Sequence, residues 1–166
     1  MINIENLTIQ FGDYKAVNDL SLKIPQGELF GFLGPNGAGK TTTIKGLVGS
    51  YKPTSGSINV NNYPIPSQLE KAKQYFGYVP DMDSHIPEFS GRQNLSFYAK
   101  LYGIKKQAID QVLDQLELSE AADLKVRNYS RGMKKKLMIA RETMHKPKVI
   151  YFDEPTANLM HTPPRL

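Results

Sequence analysis

One eight-residue stretch constrains this chain more than any other. Residues 34–41 read Gly-Pro-Asn-Gly-Ala-Gly-Lys-Thr, a complete G-x-x-x-x-G-K-[ST] phosphate-binding loop. In such a loop, successive backbone N–H groups surround a polyphosphate, and the glycines let the backbone approach it closely. We expect the Lys40 ammonium to reach the β- and γ-phosphates and the Thr41 hydroxyl to coordinate Mg²⁺. The loop therefore predicts a nucleotide-binding protein.

The sequence on either side of the loop suits this interpretation. Residues 28–33 form a short apolar run that predicts a buried strand, and residues 42–48 predict a helix whose N-terminus faces the anion. The predicted phosphate contacts are Gly34, Pro35, Asn36, Gly37, Ala38, Gly39, Lys40, Thr41 and Thr42.

A second half of a nucleotide site follows the last apolar strand of the sequence. Residues 148–152 predict a buried strand, which runs directly into Asp153 and Glu154. Asp153 can hold Mg²⁺, directly or through water. Glu154 is placed to polarise an attacking water, so the pair predicts nucleotide hydrolysis.

Length and composition agree with one domain in a reducing compartment. The chain has 166 residues, a formal net charge of +5 and no cysteine, which excludes disulfides, thiol catalysis and Cys-based zinc sites. The first residues lack the basic and apolar regions of a secretory signal. No apolar run approaches the roughly 20 residues of a membrane span. We therefore expect a cytoplasmic protein.

Hydrophobic patterning predicts an α/β core with a set of helices inserted in it. Residues 2–11, 20–24, 57–60 and 75–79 read as strands, residues 67–73 as a helical turn, and residues 61–66 as a loop.

Three helices are predicted between residues 81 and 146. Ser90 and Ser130 are candidate N-caps for the first and the third. Three apolar stripes are expected to face the core: Leu95, Tyr98, Leu101 and Tyr102; Ala108, Ile109, Val112, Leu113 and Leu116; Leu137, Ala140 and Met144.

Four stretches of the sequence, in the same order as in the family, resemble the ATPase subunit of ATP-binding cassette (ABC) transporters. They are residues 34–42, Phe-Gly-Tyr-Val-Pro at 76–80, Tyr-Ser-Arg-Gly-Met at 129–133 (the signature motif), and Ile-Tyr-Phe-Asp-Glu-Pro-Thr at 150–156. The resemblance implies a P-loop NTPase core with an antiparallel β subdomain and an inserted helical subdomain at about residues 84–146. All of these would belong to one ABC-type ATPase domain over residues 1–166.

The resemblance also implies roles for further residues. Phe11, or failing it Tyr14, matches the aromatic residue that stacks on adenine. Ser130 and Gly132 match residues that contact the γ-phosphate of an ATP held by the opposite subunit. Asp81 stands where the family usually carries a glutamine that links Mg²⁺, water and the membrane partner.

The expected partners follow from the same resemblance. They are ATP, Mg²⁺, a second ATP-binding subunit, and a transmembrane permease contacted near residues 81–93, here named the docking segment. The chain would lie on the inner face of the cell membrane, and no nucleic acid is expected. The Met133-Lys134 form of the signature motif resembles a subset of bacterial exporters.

Two other functions stay open, a non-transport ABC protein and a remnant that binds nucleotide without hydrolysing it. GTPase activity is disfavoured because the sequence has no Asn-Lys-x-Asp motif to read guanine. Lys134, Lys135 and Lys136 have two interpretations, a solvated helix face or an electrostatic attraction for the partner's nucleotide.

The resemblance ends at about Leu159. The family continues with an aspartate where this chain has Met160, and the residues after it read like a frameshift or an out-of-frame ending. We therefore expect the C-terminal part of the fold to be missing and the chain to be unstable alone. No catalytic role is expected for His85, His145 or His161.

Overall fold

The computed structural model describes residues 1–153, which form two compact units. The first unit is Met1–Phe76, and the second begins at Gly77. The strands are β1 (Ile2–Phe11), β2 (Tyr14–Ile24), β3 (Ser55–Val60), β4 (Tyr63–Ile65), β5 (Phe76–Val79) and β6 (Val149–Phe152). The helices are α1 (Lys40–Leu47), α2 (Leu69–Ala72), α3 (Gly91–Leu101), α4 (Gln107–Gln115) and α5 (Arg131–Thr143), with short 3₁₀ turns at Lys73–Tyr75 and Val126–Asn128.

The first unit is built on a four-stranded antiparallel sheet in the order β2-β1-β3-β4. Much of its core comes from β1, where Ile4, Leu7 and Ile9 are almost fully buried. The register of β1 against β2 shifts between Ile4 and Leu7. A bulge of this kind turns the strand, so apolar residues three apart can both face the core.

The short strand β4 was not expected, since residues 61–66 were predicted to be a loop. In the structure Tyr63 pairs with Val60 and Ile65 pairs with Ile58, so these residues extend the sheet by one strand. The connecting residues Asn61 and Asn62 both have positive φ, 49° and 69°. Positive φ at both central residues is typical of a type I′ hairpin turn, and asparagine tolerates it.

The predicted buried strand at residues 28–33 is wrong for this structure, which assigns no strand there. Leu29 and Leu33 are fully exposed, at 104% and 96%. An extended segment becomes a strand only when neighbouring strands pair with its N–H and C=O groups. None of the strand pairings in residues 1–153 includes this segment, so its apolar composition alone does not bury it.

The second unit packs α3, α4 and α5 around one apolar core, and it contains the two-stranded sheet of β5 and β6. The core residues are Leu95, Ala99, Ile109, Val112, Leu113, Leu118, Ala122, Val126, Tyr129, Leu137, Ala140 and Met144. This set confirms most of the three predicted stripes, including the whole stripe on α5.

Of the first stripe, Leu95 lies in this core and Tyr98 packs against it, whereas the other two residues lie outside it. Leu101 is 67% exposed because it lies about 120° around α3 from Leu95 at 3.6 residues per turn. Tyr102 follows the last turn of α3, and its ring stacks on His145 instead.

The strand β6 is only partly buried. Tyr151 is buried, whereas Ile150 and Phe152 are about one-third exposed. Successive side chains of a strand point to opposite faces, so one face of β6 is covered and the other is not.

Candidate nucleotide-binding site

The phosphate-binding loop has the backbone that its glycines predict. Gly37 and Gly39 have φ of 85° and 81°, in the left-handed region that favours glycine. A Cβ on Gly39 would lie 2.3 Å from the carbonyl oxygen of Ala16. Any other residue at position 39 would have to displace β2 or unwind the loop. Residues 34–38 are exposed, so their backbone is accessible to a ligand.

The Lys40 side chain folds back over the loop that precedes it. Its ammonium donates hydrogen bonds to the carbonyl oxygens of Gly34 and Pro35, at 2.7 Å and 2.8 Å. These contacts bring a positive charge to the loop backbone. Lys40 is also the first residue of α1, where unpaired N–H groups favour an anion.

The first turn of α1 is tied to the loop. Gly39 is the N-cap, and its carbonyl oxygen accepts hydrogen bonds from the backbone N–H and the hydroxyl of Thr43, both at 2.8 Å. Thr41 and Thr42 lie in the same turn and are partly exposed. The hydroxyl groups predicted to bind Mg²⁺ therefore lie on the first turn of α1, which is hydrogen-bonded to the loop.

Both candidate adenine-stacking residues lie in the first unit and are exposed. Phe11 is 46% exposed, and its ring and that of Tyr51 form a T-shaped pair with centroids 5.0 Å apart. Tyr14 is 60% exposed, and its hydroxyl lies 3.4 Å from the carbonyl oxygen of Gly37. The contact with Gly37 sets Tyr14 beside the phosphate-binding loop, so Tyr14 is a stronger alternative to Phe11 than the sequence suggests.

Asp153 lies at the end of β6 and is buried, at 5% exposure. Its Oδ2 atom accepts a hydrogen bond of 3.2 Å from the Tyr78 hydroxyl, and its backbone N–H donates to Val79 of β5. Tyr78 in turn donates its backbone N–H to Glu142 of α5. Tyr78 thus orients the Asp153 carboxylate, a role that sequence reasoning missed.

The predicted Mg²⁺ ligands are divided between the two units. Thr41 belongs to the first, and Asp81 and Asp153 belong to the second. Asp81 is exposed in the segment after β5. Within residues 1–153 no group of three or more histidine or acidic side chains is arranged to hold a metal. Glu154 lies outside the described residues, as do Leu159, Met160 and His161.

Ser130 caps α5, as the sequence predicted. Its hydroxyl accepts a hydrogen bond from the backbone N–H of Met133 at 3.2 Å. Ser130 and Gly132 are both exposed, so the N-terminal turn of α5 is accessible. An accessible helix N-terminus with a serine cap can accept an anion, and the γ-phosphate contact stays a prediction.

The residue before this cap is held by a contact that the sequence did not reveal. The buried Tyr129 donates its hydroxyl to the carbonyl oxygen of Ala121 at 2.7 Å. The first residue of α3, Gly91, packs directly against that hydroxyl, and a Cβ there would lie 2.2 Å from it. Glycine at position 91 therefore leaves the room that Tyr129, the first residue of the signature motif, occupies.

We expect Gly91→Ala to destabilise the protein by about 1–3 kcal/mol, because the added methyl group must displace a hydrogen-bonded tyrosine. Chemical denaturation would measure the change in the free energy of unfolding. Gly31→Ala is the matched control, since a Cβ there meets nothing within 4 Å. Equal stability of the two variants would contradict this packing argument.

Comparison with known proteins identifies the family. The profile of the ABC transporter family matches residues 17–157. The "Nod factor export ATP-binding protein I" of Burkholderia lata is 41% identical over 162 residues, covering 95% of this chain and 53% of that protein. The "Linearmycin resistance ATP-binding protein LnrL" of Bacillus subtilis is 39% identical over 164 residues, covering 96% and 52%. The chain thus spans about half the length of these relatives.

Solved structures agree with the fold. A structure described as the ATP binding subunit of an ABC transporter superposes with a TM-score of 0.84 at 26% identity, covering 94% of this chain and 67% of its own. Another, cbiO1 from Clostridium perfringens, described as part of the ABC transporter complex cbiONQ, gives 0.84 at 29% identity, covering 95% and 66%. The α/β P-loop fold with its antiparallel sheet is thereby confirmed.

No described helix has the length and apolar character needed to cross a bilayer. The chain belongs to the ABC transporter family, and the proteins it resembles are ATP-binding subunits of that family.

Proposed function

We propose that this chain is an ATP-binding and ATP-hydrolysing subunit of an ABC transporter. Two copies, or one copy and a related subunit, enclose ATP between the phosphate-binding loop of one and the Ser130 motif of the other. Closure of this pair drives a separate membrane permease, and hydrolysis resets it.

The observation that carries the proposal is the geometry of the phosphate-binding loop. Gly37 and Gly39 adopt positive φ, the loop backbone is exposed, and Lys40 lies over it with its ammonium 2.7 Å from a loop carbonyl oxygen. A triphosphate offers Lys40 stronger acceptors than these neutral carbonyls, because its oxygens carry negative charge that attracts the ammonium directly. The ammonium would therefore exchange its loop contacts for phosphate oxygens.

Hydrolysis is assigned to the acidic pair after β6. Thr41, Asp153 and Asp81 would hold Mg²⁺, which supplies neutralising charge at the β- and γ-phosphates when bound. Tyr78 keeps the Asp153 carboxylate in one orientation by its 3.2 Å hydrogen bond. Glu154 accepts a proton from the attacking water, and the backbone N–H groups of the loop bind the phosphate oxygens.

The partners are inferred from the relatives. One structural neighbour is part of a transporter complex, and two relatives are named for export or drug resistance. For this chain we accordingly infer a permease subunit as partner, a location at the inner face of the cell membrane, and transport in the export direction. The exposed docking segment residues Asp81 and Met82 are candidates for the permease contact.

Binding and turnover should be measured together to test the proposal. Isothermal titration with Mg-ATP tests binding, and phosphate release tests hydrolysis. Specific activity should rise with protein concentration, because each site needs two subunits. Binding without phosphate release at any concentration would identify a nucleotide-binding remnant, and absence of binding would overturn the proposal altogether.

The base-stacking assignment has a test of its own. We expect Phe11→Ala to weaken ATP binding by about 1–3 kcal/mol while leaving tripolyphosphate binding nearly unchanged, because only ATP carries a base to stack. Tyr14→Ala is the matched variant, since Tyr14 is exposed beside the same loop. If Tyr14→Ala gives the selective loss and Phe11→Ala does not, stacking belongs to Tyr14. Equal losses for both ligands in both variants would remove the stacking claim.

A further inference from the structure

The lysine run at the start of α5 holds neighbouring segments onto that helix. The Lys134 ammonium lies 3.3 Å from the Asp83 carboxylate, and the Lys135 ammonium donates to the carbonyl oxygen of Pro80 at 3.3 Å. Lys136 pairs with Glu117, with 2.6 Å between Nζ and Oε2. Two of the three lysines thus bind residues 80–83, immediately after β5.

The same segment contacts α5 again two turns further along. Arg141 is buried, and its guanidinium donates to the Ser84 hydroxyl at 2.9 Å while it lies over the Tyr98 ring. Residues 80–84 therefore lie along α5, with contacts at both ends of its eight-residue stretch from 134 to 141. The ion pair between Lys134 and Asp83 is individually weak, because pairs near the surface contribute about 0–1 kcal/mol.

Within residues 80–85, the side chain of His85 is the one packed away from solvent against α5. Its side chain is 1% exposed, and its Nε2 atom lies 3.0 Å from the carbonyl oxygen of Lys134. A carbonyl only accepts, so Nε2 carries the proton and donates it. Nδ1 is buried without a hydrogen-bond partner among residues 1–153. A neutral ring with its proton on Nε2 is the form that fits this site.

The surroundings of His85 disfavour its protonation. Burial is the largest cause and lowers the pKa of the ring below its ordinary value, and the positive charges of Arg141 and Lys134 act in the same direction. The hydrogen bond to the Lys134 carbonyl and the Asp83 carboxylate, 3.8 Å from Nε2, oppose the shift. Arg141 is itself paired with Glu142.

The residues that follow His85 are hydrogen-bonded to α3 instead of α5. The buried Asn94 accepts a hydrogen bond from the Ile86 N–H at 2.9 Å and donates to the carbonyl oxygens of Ile86 and Ser90 at 3.1 Å and 3.0 Å. Residues 86–90 thus follow α3, whereas residues 80–85 follow α5. His85 lies at the junction.

We propose that His85 is a positioning residue that fastens residues 80–85 to the first turn of α5, so that a displacement of this segment is carried to Ser130. The Lys134 carbonyl that accepts its hydrogen bond lies one helical turn from Ser130, whose own carbonyl accepts from the Lys134 N–H at 3.0 Å. The inference rests on the proposed function, in which the segment faces the permease and Ser130 faces the γ-phosphate. His85 then lies on the physical route between the two contacts.

The test uses two substitutions of His85 that distinguish the effect of its hydrogen-bond donor from the effect of its titratable ring. His85→Gln keeps a side-chain N–H that can donate to the Lys134 carbonyl but does not titrate, and His85→Leu is apolar and cannot donate. Amide hydrogen exchange without nucleotide, corrected for intrinsic pH dependence, would follow residues 82–86 and 131–136. In His85→Leu we expect both stretches to exchange at least about tenfold faster, a loss of about 1.4 kcal/mol in local protection. His85→Gln should keep the parent's protection at pH 7.5.

The parent protein adds a readout that packing alone would not give. As pH falls below the ordinary histidine pKa of about 6.5, the His85 ring gains a proton when the segment opens to water but resists one in its buried site, so opening becomes more favourable and protection of both stretches should fall together. His85→Gln should lack this pH response, and His145→Gln should retain it. The inference is overturned if the parent shows no shared pH response, if His85→Gln fails to rescue, or if only residues 82–86 respond.

The exchange result does not depend on ATP. Titration of the same variants with Mg-ATP reports on the phosphate-binding loop in the first unit, which contains none of the substituted positions. A protein that fails to bind ATP but shows the shared exchange response would contradict the proposed function and leave the His85 contact intact.

Discussion

Replacing Glu154 with glutamine is expected to lower ATP turnover by about 10²- to 10⁴-fold while leaving ATP binding close to the parent value. Glutamine has nearly the same shape as glutamate but no carboxylate to take a proton from water. The nucleotide would remain intact between the two subunits, so the closed pair should accumulate. Phosphate release measures the first effect, and size-exclusion chromatography with Mg-ATP measures the second.

The control for this experiment is Glu120→Gln, which removes one negative charge from an exposed residue of the second unit. It should hydrolyse ATP like the parent. If Glu154→Gln also turns over at the parent rate, Glu154 is not the general base, and another group must activate the water. Loss of ATP binding in Glu154→Gln would instead point to a structural role.

The second large effect is expected for Lys40→Ala. A hydrogen bond to a charged group contributes about 1.5–3 kcal/mol, so its loss should weaken ATP binding by about 10- to 150-fold. Lys40 also binds the carbonyl oxygens of Gly34 and Pro35, so its removal takes away contacts that shape the loop itself. Titration calorimetry with Mg-ATP would measure the dissociation constant.

Lys52→Ala is the matched control for Lys40→Ala. It removes the same charge from an exposed turn in the same unit, so any general electrostatic effect on ATP binding appears in both variants. The assignment fails if the two variants bind ATP equally well. A near-equal loss of ATP and tripolyphosphate binding in Lys40→Ala would show that the lysine acts on the phosphates rather than on the base.

The sequence was most informative where function depends on consecutive residues. The backbone conformation of the loop from Gly34 to Thr41 follows from local sequence, because its glycines adopt positive φ, and the phosphate contacts expected there stay predictions. The caps at Ser90 and Ser130 were predicted for the same reason, and the structure confirms both. In each cap, the serine hydroxyl accepts a hydrogen bond from the backbone N–H three residues later, so the contact is local in sequence.

The sequence was least informative where a contact joins distant residues. The partner of His85 is 49 residues away, and the contact between Lys135 and Pro80 spans 55. Nothing in a histidine between Ser84 and Ile86 signals that its ring is buried. The prediction of a strand at residues 28–33 was wrong for the same reason, because the pairing of a strand depends on neighbouring strands from other parts of the chain.

The exposed segment before the phosphate-binding loop has a consequence for the colloidal behaviour of the molecule. Leu29 and Leu33 are bare to solvent, Phe30 is nearly half exposed, and residues 29–33 carry no charge. An uncharged, β-prone window with free backbone groups is a template for pairing between chains. Self-association through residues 29–33 would engage the segment that leads directly into the phosphate-binding loop, so concentrated solutions would lose nucleotide-binding capacity before they became visibly turbid.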